Sequence, residues 1–575
     1  MTAPARWQAD RAWCVLHTAF GQGAHFVRTW AAWRRDPQRP PLLHYVALAA
    51  QAPAWPDPDP APAGGADSDA EGNSELQSLA RTLQAQCQGL GCGQHRLAFD
   101  AGRVLLTLCV GPALALLRQQ QFDADRVVLA LADPPAAPWD EWSTKALAQR
   151  CRRGTRLVCP AAPAELRQWL RQCGFVLDGA ATPATEGAPA LCATFDPAWT
   201  LRNTREPWRR ARTPPGRCAV IGAGMAGASV ASALARRGWQ VEVFDQAPHP
   251  AAGASALPVG LAAPLVSVDD NVLSRLVRSG VRLSLQQAQQ WLVAGRDWAP
   301  SGVQEQRFDD QAPAPVPPLW HAQAGWIKPA ALVQAWLAQP GIGFHGHVAV
   351  HNLRRDAGGW TLLDPLGQPI ATVARVVLAN ATGAVPLLER VQAQHPDWPL
   401  HLHQLPATHA VRGLVSWARH DSPELRPFPP VPVNGNGSLI AGVPFADGAR
   451  WFVGASYQPA SQPEWPDEKN HGANVLRLEK LLPVLSAALA PVFEAGALHA
   501  WKGVRCVTAD RLPLVGSLLD DDPGLWLCAG LGSRGLSLTV LCAELLAAQW
   551  AGEPLPVEAS LAQALNARRK GRQPS

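Results

Sequence analysis

Residues 217–245, RCAVIGAGMAGASVASALARRGWQVEVFD, constrain the fold of this chain more than any other stretch. Cys218 to Ile221 read as a short buried strand. Gly222, Gly224 and Gly227 follow in G-x-G-x-x-G spacing, with Ala223 and Met225 between them; then come an Ala-rich helix and a second strand, VEVF, closing on Asp245. Each part has a mechanical reason. Gly222 allows a tight strand-to-helix turn, Gly224 lets the backbone approach a pyrophosphate, and Gly227 lets the helix pack closely on its sheet. The helix N-terminus presents free N–H groups to phosphates. Asp245 stands about twenty residues further on, where a carboxylate accepts hydrogen bonds from the adenosine ribose hydroxyls. A lone G-x-G-x-x-G is a weak signal, but here strand, turn, helix, strand and acid come in order, and together they specify a dinucleotide site.

At 575 residues the chain is too long for one core, and at about 150 residues per domain it suggests three or four units. Hydrophobic residues make up 47% and charged residues 17%, a globular rather than a disordered balance. The N-terminus, MTAPARWQADRAWC, has neither a basic segment nor an apolar one, so no secretory signal is expected. No apolar run reaches the ~18 residues needed to span a bilayer. Twelve cysteines are scattered without a C-x-x-C pair, which points away from a zinc site or a disulfide framework and towards reduced thiols in the cytoplasm. No metal site is expected, and the sequence leaves the oligomeric state open.

Residues 52–75, rich in Pro, Gly, Ala and Asp, read as a flexible insertion. Around it, short apolar strands (LLHYVAL, RVLLTLCV, RVVLALA, TRLVCP) alternate with helix-like segments, an α/β pattern over 1–196. An Arg- and Pro-rich connector covers 197–216, a second α/β region covers 217–566, and a basic tail, expected to fray, covers 567–575.

Within 217–566, GASALPVG (253–260) offers small residues and a hydroxyl, Gly253 and Ser255 among them, where a loop runs beside a pyrophosphate. VVLANATGA is a buried strand turning through small residues. In LWLCAGLGSRGLSLTVLCAELLA, Gly530, Gly532, Ser533 and Gly535 open a long apolar helix whose N-terminus can stabilise negative charge on a reduced ring. These segments resemble the amine-oxidising flavoprotein family of glycine, sarcosine and D-amino acid oxidases. ARRGWQVEVF, GASALPVGLAAPL, GWIKPAAL, FVGASY, GVRCVTADRLPLVG and GLGSRGL are more closely similar to the oxidoreductase half of the bifunctional tRNA 5-methylaminomethyl-2-thiouridine biosynthesis proteins, the MnmC family.

The resemblance implies FAD as cofactor and 5-carboxymethylaminomethyl-2-thiouridine at the tRNA wobble position as substrate. Oxidation beside the amine and hydrolysis of the imine would release glyoxylate and leave 5-aminomethyl-2-thiouridine. The substrate side chain is an N-substituted glycine, and its carboxylate calls for a guanidinium. Arg505 stands where glycine-oxidase-like relatives carry that group; the bland reading is a surface salt bridge. Lys502 is a candidate for stabilising reduced flavin or assisting its reoxidation, against a solvated lysine. Arg534 contacts substrate or caps its loop, and Tyr457 is a substrate contact or packing. Cys506 stands where sarcosine oxidases attach flavin covalently; a non-covalent cofactor is expected here.

The first half resembles the same family's methyltransferase part. LHTAFGQGAHFVRTWAAW (16–33) has the shape of its glycine-rich S-adenosylmethionine loop, and the complete protein would methylate the aminomethyl group just formed. The departures are serious. His17 and Ala19 stand in place of an acid and a glycine, Ala49 in place of the ribose-binding acid, and Pro112 in place of another acid; Asp133 substitutes only after a shift of two residues. A charged hydrogen bond is worth about 1.5–3 kcal/mol, so losing two or three costs roughly a thousandfold in affinity. A scaffold-like first half is therefore expected, with weak or altered methyl transfer as the alternative.

The expected fold is α/β throughout: a Rossmann-like methyltransferase-type domain, then an FAD-binding Rossmann domain interleaved with an antiparallel-sheet substrate domain. Six arginines between Arg202 and Arg217, with Arg568, Arg569, Lys570 and Arg572 in the tail, suggest contact with tRNA phosphates. Two other readings stay open: a small-molecule amine or amino acid oxidase with a non-catalytic first half, and a first half that only docks tRNA.

Overall fold

The computed structural model describes residues 7, 11–54, 70–131, 139–160, 162–178, 190–199, 214–308, 316–356, 358–396, 398, 400, 402–420, 428–496, 498–519 and 524–569. They form two compact units, 1–214 with 548–562 and 215–547 with 563–575.

The first unit is built on one eight-stranded sheet. Its strands are β1 (Ala12–His17), β2 (Leu42–Ala49), β3 (Gly93–Phe99), β4 (Val104–Val110), β5 (Ala124–Val128), β6 (Cys151–Cys159), β7 (Phe175–Leu177) and β8 (Leu191–Phe195), in spatial order β3-β4-β2-β1-β5-β6-β8-β7. β4, β2, β1, β5 and β6 run parallel, while β3 and β8 run against their neighbours. Both faces are covered, which is why LLHYVALA reads as a continuous apolar run: Leu43, Tyr45 and Ala47 join one core, Val46 and Leu48 the other. This is the doubly wound arrangement expected of the first half. One boundary differs from the sequence reading. A helix begins at Ala70 and runs to Cys87, so residues 70–75 of the expected insertion are helical; its Leu79 and Leu83 are buried in the same core as the β2 and β4 side chains.

The second unit carries a six-stranded sheet. Strands β9 (Arg217–Ile221) and β10 (Gln240–Phe244) pair in parallel, flanked by parallel strands Ile342–His345, Arg375–Leu378 and Leu525–Ala529 and closed by antiparallel Leu514–Ser517. Interleaved with it is a mostly antiparallel sheet in which Thr408–Arg419 pairs with His499–Thr508 over ten residue pairs and with Gly448–Gly454 on its other side. The expected Rossmann and antiparallel pair of layers is therefore present.

The tail departs from expectation. Ala567 is buried, and Arg569 lies at 8% exposure, its guanidinium donating to both carboxylate oxygens of Asp510 at 2.8 Å and to the carbonyls of Leu512 and Pro513. A side chain so fully used is a fastener of the unit, and it is withdrawn from the set of expected phosphate contacts. Lys570 and Arg572, most of the arginine-rich connector and Asp133 lie outside the described residues. No described helix is long and apolar enough to cross a membrane.

Candidate active site

The glycine turn sits where β9 meets the helix Met225–Ala235. Gly222 has φ +106°, and a Cβ there would lie 2.7 Å from the Ala379 carbonyl oxygen; a Cβ on Gly227 would lie 1.8 Å from the Gly222 carbonyl oxygen. Neither position admits another residue without moving backbone, so the turn is held tight for close approach of a ligand. The helix has no acidic residue in its first turn, and the Met225 N–H donates to the Ser255 hydroxyl at 2.9 Å. Asp245 directly follows β10. One of its carboxylate oxygens accepts the Ala223 N–H at 2.7 Å and the other the Ala247 N–H at 2.9 Å. The spacing rule anticipates a ribose contact; in the structure this carboxylate also ties the glycine turn to the second strand.

A cavity of about 1020 Å³ runs from this turn into the antiparallel sheet. Gly222, Gly224, Met225, Asp245, Gly253 and Ser255 line its nucleotide end. Gly530, Gly532, Ser533, Arg534 and Gly535 line it at the start of the helix Gly535–Ala551, and Tyr457, Trp501 and Arg505 line it from the antiparallel sheet. Ala223 and Gly227 stand behind the lining and shape the turn instead.

Arg505 is the best-prepared cation in the cavity. It donates to the Ser456 carbonyl at 3.2 Å, and its guanidinium lies 5.5 Å from the centre of the Tyr457 ring. Ser456 is itself fixed, its hydroxyl bonded to the Leu414 N–H and to Asn470. A Cβ on Gly413 would come within 2.7 Å of the Arg505 guanidinium, so the bare glycine makes room for it. Burial pulls the Arg505 pKa below the usual arginine value; Tyr457 opposes this, and the neighbouring Arg477 adds to it. Arg505 makes no ion pair with a carboxylate among the described residues. Arg534 is likewise lowered, first by burial and then by Arg511, with Glu305 opposing.

Lys502 lies elsewhere. Strand side chains alternate between faces, and Lys502 falls on the face opposite Trp501 and Arg505. Its ammonium is half exposed, 2.6 Å from Asp467 and 3.7 Å from Glu464, and the hydrogen bond to Asp467 raises its pKa. It is absent from the cavity lining, so the bland reading of a solvated lysine fits its place. Cys506 lines the cavity as a buried thiol, with its pKa raised by burial.

Two lining residues, Arg477 and Asn434, escape sequence reasoning, and a third, Asn380, lies in the VVLANATGA segment that the sequence marks only as a strand turning through small residues. Arg477 comes from a helix, Asp467–Leu481, with no motif of its own, and it donates to Asn436 at 3.0 Å. Asn380 and Asn434 also line the cavity, and their side-chain oxygens are buried and lack a hydrogen-bond partner among the described residues. No periodicity marks such residues; only the folded backbone brings them together.

The cavity suits FAD: the turn excludes side chains, and the helix N-terminus has no side-chain cap and is open to phosphate. The first unit does not suit S-adenosylmethionine in the same way. β1 ends at His17, β2 at Ala49 and β4 at Val110, followed by Gly111 and Pro112, so these strand ends carry no carboxylate. His17 is also engaged internally, its Nδ1 2.9 Å from the Tyr45 hydroxyl, which lies 2.8 Å from His25 Nδ1. Burial, reinforced by His25, lowers His17 to about 3; burial, with Arg126 and Arg28, lowers His25 to about 4. Both imidazoles are neutral at pH 7.

Residues 217–549 match the family model described as FAD dependent oxidoreductase. The chain is 54% identical to the tRNA 5-methylaminomethyl-2-thiouridine biosynthesis bifunctional protein MnmC of Albidiferax ferrireducens, over 98% of this chain and 94% of the relative. It is 43% identical to the protein of the same name from Polaromonas naphthalenivorans, over 98% of this chain and 91% of the relative. Among solved structures, glycine oxidase from Geobacillus kaustophilus aligns with TM-score 0.47 at 18% identity, over 61% of this chain and 99% of that one. The chain therefore belongs to the MnmC family of bifunctional tRNA 5-methylaminomethyl-2-thiouridine biosynthesis proteins, and its residues 217–549 to the FAD-dependent oxidoreductases.

Proposed function

We propose that the second unit oxidises 5-carboxymethylaminomethyl-2-thiouridine at the tRNA wobble position to 5-aminomethyl-2-thiouridine, releasing glyoxylate, in the cytoplasm where tRNA is matured. One observation carries this reading: Arg505, without a carboxylate partner among the described residues, shares a single cavity with the dinucleotide turn. FAD, when bound, supplies the two-electron acceptor. The chain's own groups do the rest. Arg505 holds the substrate carboxylate, and the Ser456 carbonyl and the Tyr457 ring fix the direction of its guanidinium. With the carboxylate anchored, the methylene between it and the amine is presented at a fixed place, which is the positioning term of catalysis. The start of the helix Gly535–Ala551, with no acid in its first turn, favours negative charge developing beside it. Loss of a hydride from the methylene carbon and a proton from the nitrogen gives an imine; water adds to its carbon, and cleavage of the C–N bond yields glyoxylate and the primary amine.

For the first unit we propose that methyl transfer has been lost. The carboxylate-free strand ends and the neutral His17–Tyr45–His25 network support that reading, and Asp245 in the second unit shows the contrast within one chain. Mass spectrometry of wobble nucleosides after incubation with carboxymethylaminomethyl-tRNA, with and without S-adenosylmethionine, tests both halves. The expected product is the aminomethyl nucleoside in both tubes. A methylaminomethyl product in the second tube refutes the reading of the first unit, and unchanged substrate in both refutes that of the second.

A further inference from the structure

Arg505 accounts for one negative charge on the substrate, yet Arg477 lines the cavity beside it, as Arg534 does at the start of the helix Gly535–Ala551. Arg477 lines the same space, lies close enough to lower the Arg505 pKa, and makes no ion pair among the described residues; its one hydrogen bond goes to the neutral Asn436. Apart from Asp245 at the nucleotide end, no carboxylate lines the cavity among the described residues. Two guanidinium groups facing one pocket repel each other when it is empty, and an anion on each relieves the repulsion. An amino acid or a free N-substituted glycine brings one carboxylate and leaves the second cation unmatched.

The modified nucleotide matches this pair of cations: its side chain carries a carboxylate for Arg505, and its backbone carries a phosphate for Arg477.

We propose that Arg477 is a specificity-determining residue that binds a backbone phosphate of the modified nucleotide. This rests on the oxidase reading of the cavity. It makes the pocket selective for polynucleotide-borne substrate over the free nucleoside and over small amino acids.

The test uses the full-length holoenzyme, wild type and the variants Arg477→Met and Arg477→Lys, with two substrates: an anticodon stem-loop carrying the carboxymethylaminomethyl nucleotide, and the free nucleoside with the same side chain. Loss of one charge-assisted contact predicts a KM for the stem-loop raised roughly 10- to 100-fold in Arg477→Met, with kcat little changed. The same variant leaves the free nucleoside's KM within about twofold, and Arg477→Lys recovers part of the loss. An equal rise in KM for both substrates places Arg477 on the carboxylate and overturns the proposal; no change for either also overturns it. A second readout needs no turnover. Titrating the holoenzyme with uridine 5′-monophosphate and with uridine, followed by flavin absorbance, should show tighter binding of the monophosphate in wild type and no difference between them in Arg477→Met. Equal binding of the two by wild type overturns the proposal while leaving the oxidase reading standing. Failure of wild type to turn over either substrate, with the monophosphate still preferred, refutes the oxidase reading and keeps the phosphate contact.

Discussion

The Asp245 carboxylate accepts the Ala223 N–H at 2.7 Å, joining the end of the second strand to the turn between Gly222 and Gly224. One side chain thus shapes the glycine turn, and on the proposed reading it would also meet the adenosine ribose of FAD. Replacing Asp245 with Asn keeps its size and removes its charge. We expect FAD affinity to fall roughly 10- to 100-fold, since hydrogen bonds to charged groups are worth about 1.5–3 kcal/mol. Fluorescence titration of apoprotein with FAD measures it, and unchanged affinity would show that the carboxylate serves neither partner.

Arg505→Met should retain the flavin and lose the substrate. Truncating one partner of a buried charged pair costs about 2–5 kcal/mol, so kcat/KM should fall by at least roughly thirtyfold, with the bound-flavin spectrum preserved. Stopped-flow reduction of the flavin by modified tRNA is the measurement. A variant reduced at the wild-type rate would move the carboxylate site elsewhere.

Lys502→Ala should matter little. Its ion pair with Asp467 is solvent-exposed on both sides, 49% and 42%, and such pairs contribute about 0–1 kcal/mol. Flavin reduction and reoxidation rates should each stay within about threefold of wild type, and a larger loss in either would restore the lysine to the chemistry.

Arg569→Ala should destabilise the second unit by about 3–5 kcal/mol, because it leaves Asp510 without its bidentate partner. Burial alone would raise the Asp510 pKa, but the hydrogen bonds from Arg569 outweigh it and hold the group below the usual carboxylate range. A depressed folded pKa contributes stability that is present above the unfolded value near 3.9 and lost as pH falls through the folded value. Urea unfolding of wild type should therefore weaken below about pH 4, and the variant should lack this component.

The first unit has its own acid sensitivity. His17 and His25 fall from 6.5 in the unfolded chain to about 3 and about 4 in the fold. The unfolded state then binds up to about one more proton per histidine between these limits, so stability drops as pH falls from about 6.5 towards 4. His17→Gln should flatten that slope by about half, as followed by thermal unfolding across the range.

Much of this was legible before the fold was known, for reasons that differ by residue. Gly222, Gly224 and Asp245 belong to a local unit whose spacing is its geometry, so reading them needed no tertiary information. The run LLHYVALA announced a strand covered on both faces. Arg505 was found through the motif around it, but the same motif drew in Lys502, and only the fold separates the two: Arg505 lines the cavity, while Lys502 pairs with Asp467 outside it. Arg477 and Asn434 carry no local signature, since a long-range sheet and a separate helix bring them to one wall. Arg569 was misread because a basic tail looks solvated until Asp510 is seen beside it.

The most direct measurement is anaerobic mixing of the flavin-loaded protein with tRNA carrying 5-carboxymethylaminomethyl-2-thiouridine, recording flavin absorbance and then quantifying glyoxylate. Bleaching of the flavin with one glyoxylate released per flavin is the predicted result. An oxidised flavin that persists through mixing, with the wobble nucleoside intact, would contradict the account.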